Sequence, residues 1–326
     1  MSTSTALPAD SIPVVCAGVV VADHLCTPIQ HMPAAGELVP ADDLILNIGG
    51  CASNAAIALG RLGVHALVCG RVGNDILGRF VAETLDAEGV DTGGLLVDPE
   101  RATSQSLIIN VRGQDRRFIH SFGANRGLSA ADLGPMIERG PKILYLGGYG
   151  ILPGMVAEDL AARFAEARRR GIVTILDVAV PGPGDHARQL AAVLPEVDVF
   201  LPNGDEAAVI LGESDPIKQA RAFRAMGARR VVITRGEHGA VALSDDLEVQ
   251  LGTYAVPFVD ASGGGDAFDA GYIAGLLDGL PELECLKFAS AIGASCVRAV
   301  GTTAGIFSRA EALEFIASHQ LAVAPL

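Results

Sequence analysis

Residues 260–268 read Asp-Ala-Ser-Gly-Gly-Gly-Asp-Ala-Phe, and a helical repeat begins inside them. Ala267, Phe268, Ala270, Ile273, Ala274 and Leu277 recur at helical spacing. Glycines at a helix start leave backbone N–H groups uncovered and let an anion come close to the positive end of the helix. Gly263, Gly264 and Gly265 therefore predict an anion site, and Asp266 stands inside it. A carboxylate repels a bound phosphate unless it has a chemical task. The task available is to take a proton from a hydroxyl that attacks phosphorus. A tight turn with Asp266 as a helix cap is the plainer alternative, and companion motifs must decide between the two.

Those residues need a scaffold, and apolar runs alternating with helical repeats supply one. Strands are predicted over 14–20, 66–70, 142–146, 173–177, 197–201, 230–234 and, ahead of the glycines, 253–259. Helices are predicted over 53–62, 76–87 and 156–170, and after each of the strands 173–177, 197–201 and 230–234. This alternation implies an α/β fold with a mostly parallel sheet covered on both faces. Two regions break the pattern. Residues 24–47 carry Pro28, Pro33 and Pro40 without a helical period, and residues 104–122 read as two strands around Arg112-Gly113-Gln114-Asp115. They predict a small β-lid over one end of the sheet. A single domain over 13–326 follows, behind a flexible N-terminal tail at 1–12.

Parallel α/β sheets place ligands at the carboxyl ends of their strands, and the remaining polar motifs stand at such ends. Asp23 closes the run that starts with the first strand, where its carboxylate can accept hydrogen bonds from two hydroxyls. Gly49 and Gly50 precede Cys51-Ala52-Ser53-Asn54 at a helix start; paired glycines let a ligand approach, and Asn54 brings a donor and an acceptor. Asn203 and Glu206 follow the strand at 197–201. Thr234, Gly236 and Gly239 follow the strand at 230–234 and permit close approach of a nucleotide. Each is also explained by a turn or a cap. Gly73-Asn74-Asp75 and Gly123-Ala124-Asn125 read as structural turns.

Residues 260–268 resemble the C-terminal signature of the PfkB/ribokinase family of carbohydrate and nucleoside kinases, Asp-Thr-x-Gly-Ala-Gly-Asp-x-Phe. Asp260, Gly263, Gly265, Asp266 and Phe268 match it, with Ala261 and Gly264 as small replacements. Gly49-Gly50 with Asn54 resembles the N-terminal signature, and Asn203 with Glu206 the family's Asn-x-x-Glu. The resemblance runs from about residue 13 to residue 316. It implies a ribokinase-like three-layer α/β/α fold and ATP-dependent phosphorylation of a hydroxymethyl group on a sugar or sugar-like molecule. Asp266 would be the base and the amides from Gly263 to Asp266 the anion hole. Asp23, Gly49, Gly50 and Asn54 would hold the sugar. Asn203 would face the phosphates, with Thr234, Gly236 and Gly239 along the nucleotide. Glu206 would hold Mg²⁺ through water. Asp260, Ser262 and the loop 297–303 resemble the family's monovalent-cation site, which implies K⁺.

The resemblance does not name the acceptor. Val21 and Cys51 stand where ribokinases carry Asn and Lys, Gly147-Gly148-Tyr149 lacks the acidic sugar contact, and no Asp-Pro-Asn surrounds Asp177. The pocket reads as less polar than a ribose site, and Phe122 and Tyr149 offer cover for a nucleoside base, so a nucleoside is the alternative acceptor. The family often pairs lids in a homodimer; Ile108, Phe118 and Phe122 alternate so as to give the lid an apolar face, although Leu107 and Ile109 interrupt the pattern.

Bulk properties exclude other classes. Against 24 basic residues stand 38 acidic ones, a net charge of −14 that repels nucleic acid and anionic membranes. The longest apolar run, 14–22, is far too short for a bilayer. The first basic residue is Arg61, so no secretory signal is read. Six cysteines without a Cys-x-x-Cys pair, several in apolar runs, read as buried thiols of a cytoplasmic protein. No Walker motif is present. Gly148-Tyr149-Gly150, Gly154 and Asp177 approximate a dinucleotide fingerprint of an NAD-binding oxidoreductase, but the spacing is off by one residue and Pro153 falls inside the turn. A non-catalytic sugar-binding protein would have no need of Asp266 and Glu206 together.

Overall fold

The computed structural model describes residues 12–114 and 117–326. The tail assigned to 1–12 lies outside the described residues except for Ile12, and so does Asp115 of the lid turn.

Strand β1 (Val14–Gly18) is buried along its whole length, as an apolar run must be when helices cover both faces of a sheet. The chain then leaves this sheet for β2 (Val21–Ile29) and β3 (Leu44–Gly49), and returns through α1 (Cys51–Arg61), β4 (Ala66–Gly73), α2 (Ile76–Ala87) and β5 (Asp91–Asp98). A hairpin of β6 (Gln105–Val111) and β7 (Arg117–Ser121) follows. Helix α3 (Ala130–Glu138) and three βα units come next: β8 (Ile143–Tyr149) with α4 (Ala157–Arg169), β9 (Val173–Val178) with α5 (His186–Val193), and β10 (Val199–Phe200) with α6 (Gly204–Leu211) and α7 (Pro216–Ala225). The chain closes with β11 (Val231–Thr234), β12 (Ala240–Leu243), β13 (Glu248–Leu251), α8 (Gly264–Leu277), α9 (Glu282–Cys296), α10 (Arg309–Ser318) and β14 (Val323–Pro325).

The main sheet runs β14-β13-β12-β11-β10-β9-β8-β1-β4-β5, parallel from β5 to β11 and antiparallel beyond. Alternate residues of β1 enter two separate cores. Val14 and Cys16 pack with α1, α8 and α9; Val15 and Ala17 pack with α3, α4 and α5. The result is the expected three-layer α/β/α arrangement. A second sheet, β3-β2-β6-β7, stands beside it as the lid.

Three expectations need correction. The first strand does not continue to Val20: Gly18 has φ 132°, and Val21 already belongs to the lid, which therefore begins before residue 24. Residues 253–259 form no strand; Val259 and Asp260 donate their amides to the Val297 carbonyl instead. No α-helix follows β11, because a single 3-10 turn at Gly236–His238 sends the chain back as antiparallel β12. An apolar run reads alike whether it pairs with a strand or packs against a helix end, and the turn at 236–239 suits either continuation.

The crossing from β1 to the lid is pinned by a buried amide. Asn125 donates from Nδ2 to the Val20 carbonyl at 2.9 Å, and its Oδ1 accepts the Val20 N–H at 3.4 Å. Asp75 caps α2 and accepts from the Thr103 amide at 2.7 Å, so both turns taken as structural are so. Asn125→Ala would leave both Val20 backbone groups buried without partners, at a cost of about 1–3 kcal/mol each. The expected result is a loss of about 2–4 kcal/mol in urea unfolding, with helix content unchanged by circular dichroism; a loss under ~0.5 kcal/mol would show that the crossing holds without Asn125.

Candidate functional site

Gly263 caps α8 with φ 74°, and a Cβ there would stand 2.3 Å from the Thr302 carbonyl oxygen, so only glycine fits. Asp260 ties this turn to the loop 297–303: one carboxylate oxygen accepts the Ser262 amide at 2.9 Å and the other the Gly301 amide at 3.0 Å. The residues read as a cation site thus fasten the turn to its neighbouring loop. Gly265 is different. No atom lies within 4 Å of where its Cβ would be, so the protein's own packing does not require glycine and the space above the helix start is open. Of the four amides expected to face an anion, the Gly264 amide is directed instead at the Ala261 carbonyl at 3.4 Å.

Asp266 accepts a hydrogen bond from Asn54 Nδ2 at 2.8 Å, across 212 residues of sequence. Asn54 sits in the first turn of α1, and α1 packs against α8, so the two glycine motifs open helices that face one cleft. Asn54 is 4% exposed and its Oδ1 has no partner. Cys51 also donates its thiol to Asp266. Burial raises the Asp266 pKa, and the bonds from Asn54 and Cys51 partly oppose that rise.

Further carboxylates crowd the same space. Asp177, at the end of β9, is buried and accepts the Gly148 amide at 3.0 Å. One atom each of Cys51, Asp177 and Asp266 lie within 4.8 Å of one another. Asp269, one turn beyond Asp266, accepts from the Tyr145 hydroxyl at 3.0 Å. Both acids are held well above the usual carboxylate range, first by burial and then by neighbouring carboxylates. Asp23 reaches the cleft from the lid strand β2, not from the end of β1. Its pKa is pushed up to about 6 by burial, against a hydrogen bond from Ser106 and with a smaller upward push from Asp266. Gly49 lies diagonally across on β3, and a Cβ there would stand 1.9 Å from an Asp23 carboxylate oxygen, so this glycine makes room for the acid. Gly50 caps α1 beside it.

Asn203 and Glu206 form a reciprocal cap on α6: Asn203 Oδ1 accepts the Glu206 amide at 2.8 Å, and Glu206 Oε2 accepts the Asn203 amide at 3.0 Å. Thr234 bridges to Asn203 across the strand ends, with Gly236 and Gly239 in the turn beyond. Glu206 nevertheless faces the cluster. Burial, followed by the charge of Asp266, raises its pKa to about 7, against the hydrogen bonds from Asn203. A half-buried carboxylate disfavoured in its charged form by other carboxylates suits a cation held through water, so the donor set fits Mg²⁺.

Asp177 was legible only as part of a dinucleotide fingerprint, and the structure gives it another setting. Its carboxylate is spent on the Gly148 amide, and the next helix, α4, begins at Ala157, so no helix starts at those glycines. The signal that would have found Asp177 is the rule that also found Asp23: an acid at the carboxyl end of a parallel strand. Tyr149 is 4% exposed and packs in the core; Phe122 stands at the lid hairpin with its ring edge-on to His120. The expected apolar lid face is also reassigned. Strand register puts Phe118 opposite Ile108 on the same side as Asp23, while Leu44, Leu46, Leu107 and Ile119 lie on the opposite, exposed side. All six cysteines are free thiols, and among the described residues no helix is long and apolar enough to cross a membrane.

The chain matches the description "pfkB family carbohydrate kinase" over residues 14–308. It is 25% identical over 308 residues to a ribokinase of Haemophilus influenzae, covering 92% of this chain and 96% of that one. It is 31% identical over 287 residues to a ribokinase of Mus musculus, covering 84% and 85%. Among solved structures, a putative ribokinase II from E. coli in complex with ATP and Mg²⁺ superposes with a TM-score of 0.79 at 25% identity, covering 94% of this chain and 99% of that one.

The raised Asp23 pKa has a stability consequence with a definite sign. A carboxyl whose folded pKa lies above its unfolded value of 3.8 binds more protons when folded, so its burial destabilises increasingly as pH rises from about 4 to about 6 and fully above that. Asp23→Asn removes the charge. The variant's stability relative to wild type is expected to improve from pH 4.5 to pH 7.5, read as the difference in urea midpoints; a pH-independent difference would contradict the burial of this charge.

Proposed function

This chain belongs to the pfkB family and is an ATP-dependent carbohydrate kinase; from that premise we propose that it transfers the γ-phosphoryl group of ATP to a hydroxymethyl group of a sugar, with Asp266 as the base. The observation that carries the reading is the 2.8 Å bond between Asn54 Nδ2 and Asp266 Oδ2, which fixes the carboxylate at the start of α8. Burial holds Asp266 above an ordinary carboxylate, closer to the basicity that proton abstraction near neutral pH needs. The orphan Asn54 Oδ1 accepts a second hydroxyl of the same acceptor, and Asp23 grips it from the lid. The uncovered amides at the start of α8 receive charge from the moving phosphoryl group. Asn203, Thr234, Gly236 and Gly239 line the way along which the nucleotide lies, and magnesium bound near Glu206 would offset phosphate charge.

Coupled ADP release against a panel of pentoses, hexoses and nucleosides tests the acceptor class. Asp266→Asn keeps the Asn54 neighbour but cannot take a proton. The expected result is a fall in kcat by ~10² or more, the range for a lost general base, with nucleotide binding retained. Normal turnover in that variant would remove Asp266 from the chemistry.

We also infer a second copy of the chain on the lid. Leu44, Leu46, Leu107 and Ile119 leave an apolar strip exposed on the lid's outer face, in a sheet whose edges β3 and β7 are unpaired among the described residues. Light scattering should give a dimer at micromolar concentration, and Ile119→Asp should give a monomer. A monomeric wild type would end this inference and leave the phosphotransfer reading intact.

A further inference from the structure

A polar row crosses the lid sheet on the side that faces Asp266. Asn47 on β3, Asp23 on β2, Ser106 on β6 and His120 on β7 are successive cross-strand partners, so their side chains share one face. Ser106 hydrogen-bonds Asp23, and the Ser106 hydroxyl lies 3.0 Å from His120 Nδ1. An ionised Asp23 can only accept. The Ser106 hydroxyl therefore donates to Asp23 and accepts from His120 Nδ1–H. That order leaves His120 Nε2 as a bare acceptor, and Nε2 is buried with no partner. Burial also lowers the His120 pKa, which keeps the ring neutral. An unpaired buried acceptor is costly unless a ligand supplies its donor.

We propose that His120 is a specificity-determining residue of the acceptor site, its Nε2 accepting a hydrogen bond from a sugar hydroxyl beyond the one that Asp23 holds. This rests on the phosphotransfer reading and sharpens it. Toward a ligand, Asp23 and His120 both present acceptors, so this end of the site selects hydroxyl donors. The pair favours a neutral polyol, because a phosphate or carboxylate placed against Asp23 and His120 meets two acceptors and the Asp23 charge. The neighbouring Phe122 ring packs edge-on against His120 with ring centres 4.9 Å apart, and Arg126 lies over that ring at 5.1 Å, engaged there with its face.

Two measurements decide it. Nitrogen-15 NMR of histidine-labelled protein reads the tautomer without any substrate: Nδ1 protonated and Nε2 bare is expected, and a protonated Nε2 overturns the proposal. The acceptor panel then includes D-ribose, D-fructose, adenosine, fructose 6-phosphate and 2-keto-3-deoxygluconate. Turnover confined to the neutral polyols is expected; preference for the phosphate or the acid overturns the proposal. On the accepted polyol, His120→Asn keeps a group for Ser106 and removes Nε2, while His120→Gln restores a polar group near Nε2. His120→Asn should raise KM about tenfold with kcat within twofold and the melting temperature unchanged, and His120→Gln should recover most of the loss. Equal KM in all three proteins, or equal loss in both variants with a lowered melting temperature, overturns it. A protein that phosphorylates nothing on the panel fails the phosphotransfer reading, and the tautomer then decides this proposal by itself.

Discussion

A carboxylate buried among other carboxylates is the constraint that organises this molecule. Asp266, Asp177, Asp269, Glu206 and Asp23 share one cleft, and burial raises the pKa of each. Such a cluster survives folding only if every member has its own hydrogen-bond donor. The donors come from separate elements: Asn54 and Cys51 from α1, the Gly148 amide and the Tyr145 hydroxyl from β8, the Asn203 amide from the start of α6, and Ser106 from the lid. The main parallel sheet brings all of these except the lid's Ser106 to one edge, because its strands end together and its helices begin there. The fold is thus the means of supplying donors to acids that could not otherwise be buried side by side.

The core of this arrangement was legible in the sequence because glycine punctuation is local. Gly49-Gly50 and Gly263–Gly265 mark helix starts whatever the sheet does, and the helices they open meet at Asn54 and Asp266. What was not legible depends on pairing partners. Val19 and Val20 look like more of the same strand, yet they are the bridge to a second sheet, and the reason is the Asn125 amide more than one hundred residues away. Asp23 was placed in the right cleft on the wrong element for that reason. The run 253–259 is apolar and extended but has no strand to pair with. Phe118 and Ile108 were read as one apolar face, which they are, but period-2 alternation does not say which side of the sheet meets the cleft; only the partner of Asp23 settles that.

The division of polar groups between the two sheets has its own logic. Asp266, Asn54 and Glu206 are carried by helices packed on the main sheet, while Asp23, Ser106 and His120 are carried by the lid. Between them the chain has only the short link at Val19 and Val20, the return at Gly49-Gly50 and the connections flanking β6 and β7. In the proposed reaction, a ligand held by both sets would fix lid and core against each other, and the energy of its contacts to the lid would serve to orient its hydroxymethyl group against Asp266. Binding energy taken from parts of a molecule remote from the reacting bond serves catalysis in this way when it secures geometry at the bond itself. The polar row of the lid would collect that energy: it contains Asp23, whose pKa the charge of Asp266 raises across the cleft.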